Sequence, residues 1–140
     1  MPEERFETVY LDLDDVLDSY AEALGCTPEE ARDQVRTQEG LESALAQPQH
    51  YAFYYKDDRA LSDLSMQAAV LARGISENQP FVEGNKRTAL VAMTTFLAYN
   101  GWTITASNNE LFDWILDFSR GVLPSEIAER LRPRLRRRGR

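Results

Sequence analysis

The chain has one cysteine and one histidine in 140 residues, and each scarcity removes a class of chemistry. Cys26 alone forms no internal disulfide and no cysteine metal cluster, and His50 alone excludes a multi-histidine metal site. Long apolar runs are missing as well. The longest stretch without charge, Thr88 to Asn109, is interrupted by Thr94, Thr95, Asn100, Gly101 and Thr103 and is too polar for a membrane span. The opening Met1-Pro2-Glu3-Glu4-Arg5 lacks an apolar signal core, so a cytoplasmic protein with no membrane partner is expected. Positive charge is scarce until the end of the chain. Arg130, Arg132, Arg134, Arg136, Arg137, Arg138 and Arg140 are seven of the 16 basic residues, which leaves nine positive charges against 23 negative in residues 1–129. A nucleic-acid arm is one reading of this tail, but it has no aromatic side chain on which a base could stack. The simpler expectation is one domain over residues 1–129 and an Arg-rich tail, 130–140, that folds back on the acidic body.

What is present is a normal globular composition, 43% apolar and 28% charged, with helix signals throughout. Leu13, Val16, Leu17, Tyr20 and Leu24 recur at helical spacing behind Asp12, a good N-cap, and Gly25 ends the run. Ahead of them, Phe6 to Tyr10 reads as a short strand. Thr27-Pro28-Glu29-Glu30 is a capping box opening a helix to about Arg36. Gly40 to Ala46 reads as a short helical turn closed by Pro48. One longer helix starts at Asp58 or Arg59 and carries Leu61, Leu64, Ala68, Leu71, Ala72 and Ile75 on its buried stripe, with a break at Glu77-Asn78-Gln79-Pro80. Gly84 to Tyr99 is apolar on every face after its first turn, the pattern of a helix in the middle of a fold. Trp102 to Ala106 reads as extended. Ser107 to Glu110 is a second capping box, and Ser125 caps a last short helix. The predicted fold is all-α, a compact helical bundle around a central buried helix, with at most a minor short strand pair.

One segment breaks the rules of stability. Lys86 and Arg87 fall in the first turn of the central helix, where unpaired N–H groups and the macrodipole are already positive. Cations there suit a polyphosphate or another strong anion. Gly84 permits close backbone approach, Asn85 offers an amide, and Glu83 supplies a carboxylate for a divalent cation bridging phosphates. Phe81 is expected to plug the loop into the core. The competing account is that Lys86 and Arg87 merely pair with Glu77 and Glu83. The spacing is not that of a Walker A loop.

Gln79-Pro80-Phe81-Val82-Glu83-Gly84-Asn85-Lys86-Arg87-Thr88-Ala89 resembles the signature of the Fic/Doc (Fido) superfamily, and most closely its death-on-curing (Doc) branch. Gly40 to Gln49 and Phe96 to Trp102 resemble flanking segments of that branch, so the likeness spans roughly residues 8–120. The resemblance implies a helical bundle that binds ATP with Mg2+ and transfers part of the nucleotide to a protein hydroxyl. Lys86, followed by Thr88-Ala89-Leu90 without a second arginine, is similar to the Doc branch. That branch implies phosphate transfer to a threonine of a translation elongation factor, with the AMP transfer typical of Fic proteins as the alternative, and neutralisation by a small antitoxin. By this likeness Glu83 would hold Mg2+, while Gly84, Asn85, Lys86 and Arg87 would hold the phosphates.

The family motif begins with histidine, the base for the attacking hydroxyl, and this chain has Gln79. A glutamine amide exchanges hydrogen bonds but takes no proton near neutral pH, and loss of a positioned base costs on the order of 10²–10⁴ in rate. Three accounts are open: a deliberate substitution, a naturally inactive member that keeps a nucleotide- or protein-binding pocket, or another base. His50, Asp57 and Asp58 are the candidates for that other base. Tyr51, Phe53, Tyr54 and Tyr55 crowd what reads as the loop between the third and fourth helices, where packing explains them most simply and a substrate groove is the alternative.

Overall fold

Local capping chemistry starts most of the helices. In the computed structural model, which describes residues 7–138, Asp12 accepts from the Asp15 amide, opens α1 (Leu13–Leu24), and Gly25 closes it in the left-handed region at φ 72°. Thr27 and Glu30 exchange reciprocal bonds of 3.1 and 3.0 Å to open α2 (Pro28–Asp33), as the capping box predicts. This helix stops three residues short of Arg36, because Val35 forms an isolated antiparallel bridge with Phe81. Residues 7–10 are not a strand, and Phe6 lies outside the described residues. Instead the Asn100 side chain imitates a strand neighbour, accepting from Val9 N at 2.8 Å and donating to Val9 O at 2.9 Å.

The largest departure from the sequence reading is α3 (Gln38–Tyr54), which runs straight through Pro48. An interior proline costs about 3 kcal/mol. Here it lies on the buried stripe Leu41, Ala44, Pro48 that packs against α5. The crossing is close: a Cβ on Gly74 would sit 2.9 Å from Ala44 Cβ. Tertiary packing thus carries the helix past its breaker. As a consequence Tyr51, Phe53 and Tyr54 belong to the end of α3 rather than to a loop, with Tyr55 as its C-cap. Tyr51 packs against the core, whereas Phe53 and Tyr54 project outward at 68% and 76% exposure, contrary to the expectation that they pack.

The single helix expected from residue 58 is two. Asp58 caps α4 (Arg59–Ser62), and Asp63, in extended conformation, breaks the chain and caps α5 (Leu64–Asn78) through Met66 N. Residues 65–72 of α5 are buried without interruption, so α5 is the deepest helix, packed against α3, α4, α6, α7 and α8. Its neighbour α6 (Asn85–Tyr99) buries one face, Thr88, Ala89, Ala92, Met93, Phe96 and Leu97, and leaves Leu90, Val91, Thr94 and Thr95 half-buried.

The extended piece after α6 is strand β1 (Trp102–Ile104), and α7 (Asn108–Phe118) follows behind the Ser107 cap. Glu110 does not close this second capping box. Its carboxylate turns to Arg134 instead, at 2.9 and 3.0 Å. The last helix, α8 (Pro124–Leu131), begins one residue ahead of Ser125, with Pro124 at its first position. A 3-10 turn (Arg132–Arg134) leads into β2 (Leu135–Arg137), which pairs antiparallel with β1 in the register Trp102↔Arg137, Thr103↔Arg136 and Ile104↔Leu135.

The arginine-rich end is therefore woven into the body, and the boundary expected at residue 129 falls inside α8. Arg130 pairs with Asp117 at 2.7 Å, Arg132 with Asp63 at 2.8 Å, and Arg134 with Glu110. Arg136, Arg137 and Arg138 stay exposed, Arg137 lying over the Trp102 ring at 5.3 Å. Arg140 lies outside the described residues. The fold is an all-α bundle of eight helices with one short strand pair among the described residues. No described helix is long and apolar enough to cross a membrane.

Candidate functional site

The site is built around the turn from α5 to α6. Gln79 ends α5 with φ 48° and ψ 58°, the only non-glycine residue with positive φ among those described. That conformation costs about 1–3 kcal/mol for such a side chain and persists only where the surroundings hold it. They do. Arg36 Nη2 and Nε donate to the Gln79 carbonyl at 2.7 and 3.2 Å. The Pro80 carbonyl accepts from Arg36 N and Thr37 N at 2.6 and 3.1 Å, and Val82 N donates to Gln34 O at 2.9 Å. Residues 34–37 thus strap the loop from outside.

Inside, Phe81 is fully buried and stacks on Tyr20 with ring centroids 4.4 Å apart, the plug expected of it. Burial, then the neighbouring Cys26 and Glu83, push the Tyr20 hydroxyl above its ordinary pKa, so it stays protonated. The Asn85 side chain staples the turn. Its Oδ1 accepts from Phe81 N at 2.9 Å and its Nδ2 donates to Phe81 O at 3.0 Å. Its carbonyl oxygen and one amide hydrogen are therefore committed to shaping the loop, leaving one hydrogen for a ligand. Gly84 caps α6 at φ 75°, and a Cβ there would come 2.8 Å from Leu24 Cδ2. The left-handed dihedral demands glycine, while the contact with the Leu24 tip would only push that side chain aside.

This construction brings six of the sequence-predicted residues to one cavity of about 440 Å³, walled by Gln79, Glu83, Gly84, Asn85, Lys86 and Arg87. Lys86 and Arg87 make no ion pair or hydrogen bond among the described residues, so pairing with Glu77 or Glu83 is not realised. Two cations are held on an already positive helix end without an ion pair among the described residues, in the same cavity wall as the exposed carboxylate of Glu83. The first turn of α6 contains no acid at all. Such an arrangement can bind a multiply charged anion and stabilise negative charge developing on it.

His50, Asp57 and Asp58 are not among the walls. His50 is exposed on α3 with its ring edge-on to Tyr54, Asp57 is exposed, and Asp58 caps α4. The remaining walls, Leu24 from α1, Ser76 from α5 and Phe112 from α7, carry no signal as a set in the sequence. Of these, Ser76 alone was findable, one turn ahead of Gln79. A second cavity of about 440 Å³ shares Arg87 and Phe112 with the first and adds Glu22, Asn108 and Asn109. No group of three or more His, Cys, Asp or Glu side chains is arranged to hold a metal among the described residues. Glu83 is the one carboxylate of the first cavity, a donor set that suits Mg2+ taking its other ligands from phosphate and water.

Residues 10–97 match the model of the Fic/DOC family, a span that contains α1 to α5, the turn and most of α6. The chain is 39% identical over 99 residues, covering 71% of its own length and 70% of the relative, to a protein named Toxin Doc from Mycolicibacterium smegmatis. On the strength of the matched span and the motif that walls its cavity, the chain belongs to the Fic/DOC family.

Proposed function

We propose that this protein is a Doc-type toxin transferase whose ATP site is intact and whose turnover is impaired at residue 79. The observation that carries the reading is the pair Lys86 and Arg87, unpaired on the first turn of α6 and facing the same cavity as Glu83. Lys86, Arg87 and the Gly84 backbone would take the ATP phosphates, with the spare Asn85 hydrogen beside them. Glu83 would hold Mg2+, which when bound supplies charge neutralisation between phosphates. The reacting partner is a protein hydroxyl, and the Doc likeness extends the proposal to a threonine of a translation elongation factor. A cytoplasmic setting and a small antitoxin that covers the site by a helical segment complete it.

Gln79 favours a second reading, a nucleotide- or protein-binding module without turnover. Its amide orients a hydroxyl but accepts no proton, and neither His50 nor Asp57 nor Asp58 lines the cavity to replace it. Histidine also tolerates the left-handed backbone of position 79 better than glutamine does. Gln79→His should therefore fold at least as stably as the parent chain. In a cell extract with labelled ATP, Gln79→His is expected to label protein at least about 10²-fold faster than the parent. Label from the γ position indicates phosphate transfer and label from the α position AMP transfer. If Gln79→His binds ATP with Mg2+ but labels nothing, the binding-module reading replaces the transferase. If neither form binds ATP, the transferase and the nucleotide-binding module both fail, and only a protein-binding module is left.

A further inference from the structure

Of the three walls that come from outside the motif, Leu24, Ser76 and Phe112, only Ser76 carries a hydrogen-bonding group in its side chain. The residue is fully buried and its Oγ has no partner among the described residues. Helical hydroxyls commonly turn back to the carbonyl one turn earlier. Among the described residues, Ser19, Ser62 and Thr88 bond the carbonyl four residues back, at 2.9, 3.0 and 2.8 Å, and Thr94 and Ser119 the carbonyl three back, at 3.0 and 2.6 Å. Ser76 leaves the Ala72 carbonyl alone and lies in the wall of the cavity that Lys86 and Arg87 share. A buried hydroxyl without a partner is a standing loss of stability, and it calls for a group that completes it.

We infer that Ser76 is a binding residue of this site: its hydroxyl, closed off in the ligand-free fold, turns about its χ1 bond into the cavity and donates a hydrogen bond to a phosphate oxygen of the ligand gripped by Lys86 and Arg87. The inference rests on the phosphate reading of the cavity and adds to it a neutral donor supplied by a second helix. A hydroxyl suits this place because it adds no charge beside the two cations and adjusts its hydrogen by rotation. Since α5 is the deepest helix of the fold, the donor is held on a rigid support. Bound phosphate and core packing are then coupled through one side chain.

The test is calorimetry on the full chain and on Ser76→Ala with two probes, ATP and inorganic tripolyphosphate, each with Mg2+. Loss of a hydrogen bond to a charged oxygen should weaken Ser76→Ala about tenfold for both probes alike. Without ligand, Ser76→Ala should melt at or above the parent temperature, because an unsatisfied hydroxyl has been removed from a helix interior. Unchanged affinity for tripolyphosphate overturns the inference and turns the hydroxyl toward residue 79 or the nucleoside. A lower melting temperature of ligand-free Ser76→Ala also overturns it, by making the hydroxyl structural. If the parent chain binds neither probe, the phosphate reading itself falls, an outcome distinct from either of these.

Discussion

Basic side chains sit at two places in this molecule under opposite conditions. At the C-terminal end, Arg130, Arg132 and Arg134 each meet a carboxylate, and Arg132 adds a bond of 2.7 Å to the Ala60 carbonyl. At the start of α6, Lys86 and Arg87 pair with none among the described residues, although the helix end they occupy is already positive. The surrounding charge does not explain the contrast, since the body of the chain is strongly acidic and could have supplied partners at both places. Paired arginines tie late segments of the chain onto earlier ones. On the function proposed above, the unpaired cations on the cavity wall are held in reserve for a ligand, at a modest cost in stability. The same residue type therefore reads as structure or as function according to what it is left without.

The sharpest way to break this comparison is to remove both members of the unpaired set. Lys86→Ala with Arg87→Ala should abolish most ATP binding, weakening it by roughly 10²-fold or more, since each charge-assisted bond is worth about 1.5–3 kcal/mol. The melting temperature should hold or rise, because the positive first turn is relieved. Calorimetry and a thermal melt check the two halves, and a fall in both would equate these residues with the paired set. Next in size is the staple. Asn85→Ala leaves the Phe81 N–H without its partner and should cost about 2 kcal/mol, or about 6 °C in thermal unfolding for a domain of this size.

The paired set gives smaller effects of the opposite kind. Arg132→Ala frees Asp63 and the Ala60 carbonyl and should lower stability by about 1 kcal/mol with ATP affinity unchanged, measured by denaturant unfolding and calorimetry together. The smallest effect is with pH. Hydrogen bonding to Arg134 holds the Glu110 carboxyl below the usual glutamate range, and Arg130 with Arg120 does the same for Asp117. A lowered carboxyl pKa adds stability above the unfolded value, and that stability is lost as pH falls through the folded one. The melting temperature should hold down to about pH 5 and decline below about pH 4, more steeply in the parent than in Arg130→Gln with Arg134→Gln.

How much of this could be read beforehand depends on the range of the interaction concerned. Asp12, Thr27 and Ser107 were legible as caps because each acts on an amide three residues away. The motif residues were legible as a group because a tight turn followed by a helix brings neighbours in the chain together in space. Pro48 was misread since its effect on α3 was decided by Gly74 on another helix. The break at Asp63 was missed because the apolar stripe runs on across it without losing phase. Arg36, which clamps the strained Gln79 carbonyl, stands 43 residues away with no local feature to mark it.

By itself, the order of residues determined the helical class, most helix starts, the glycine at position 84 and the gathering of Gln79, Glu83, Asn85, Lys86 and Arg87. These follow from backbone geometry and contacts within a turn or two. Packing alone decided that α5 lies deepest, that the arginines of the C-terminal end are tied into the body, and that Leu24, Ser76 and Phe112 complete the cavity. Such features depend on which surfaces meet when the helices bury their apolar faces together, a condition that only the folded chain satisfies.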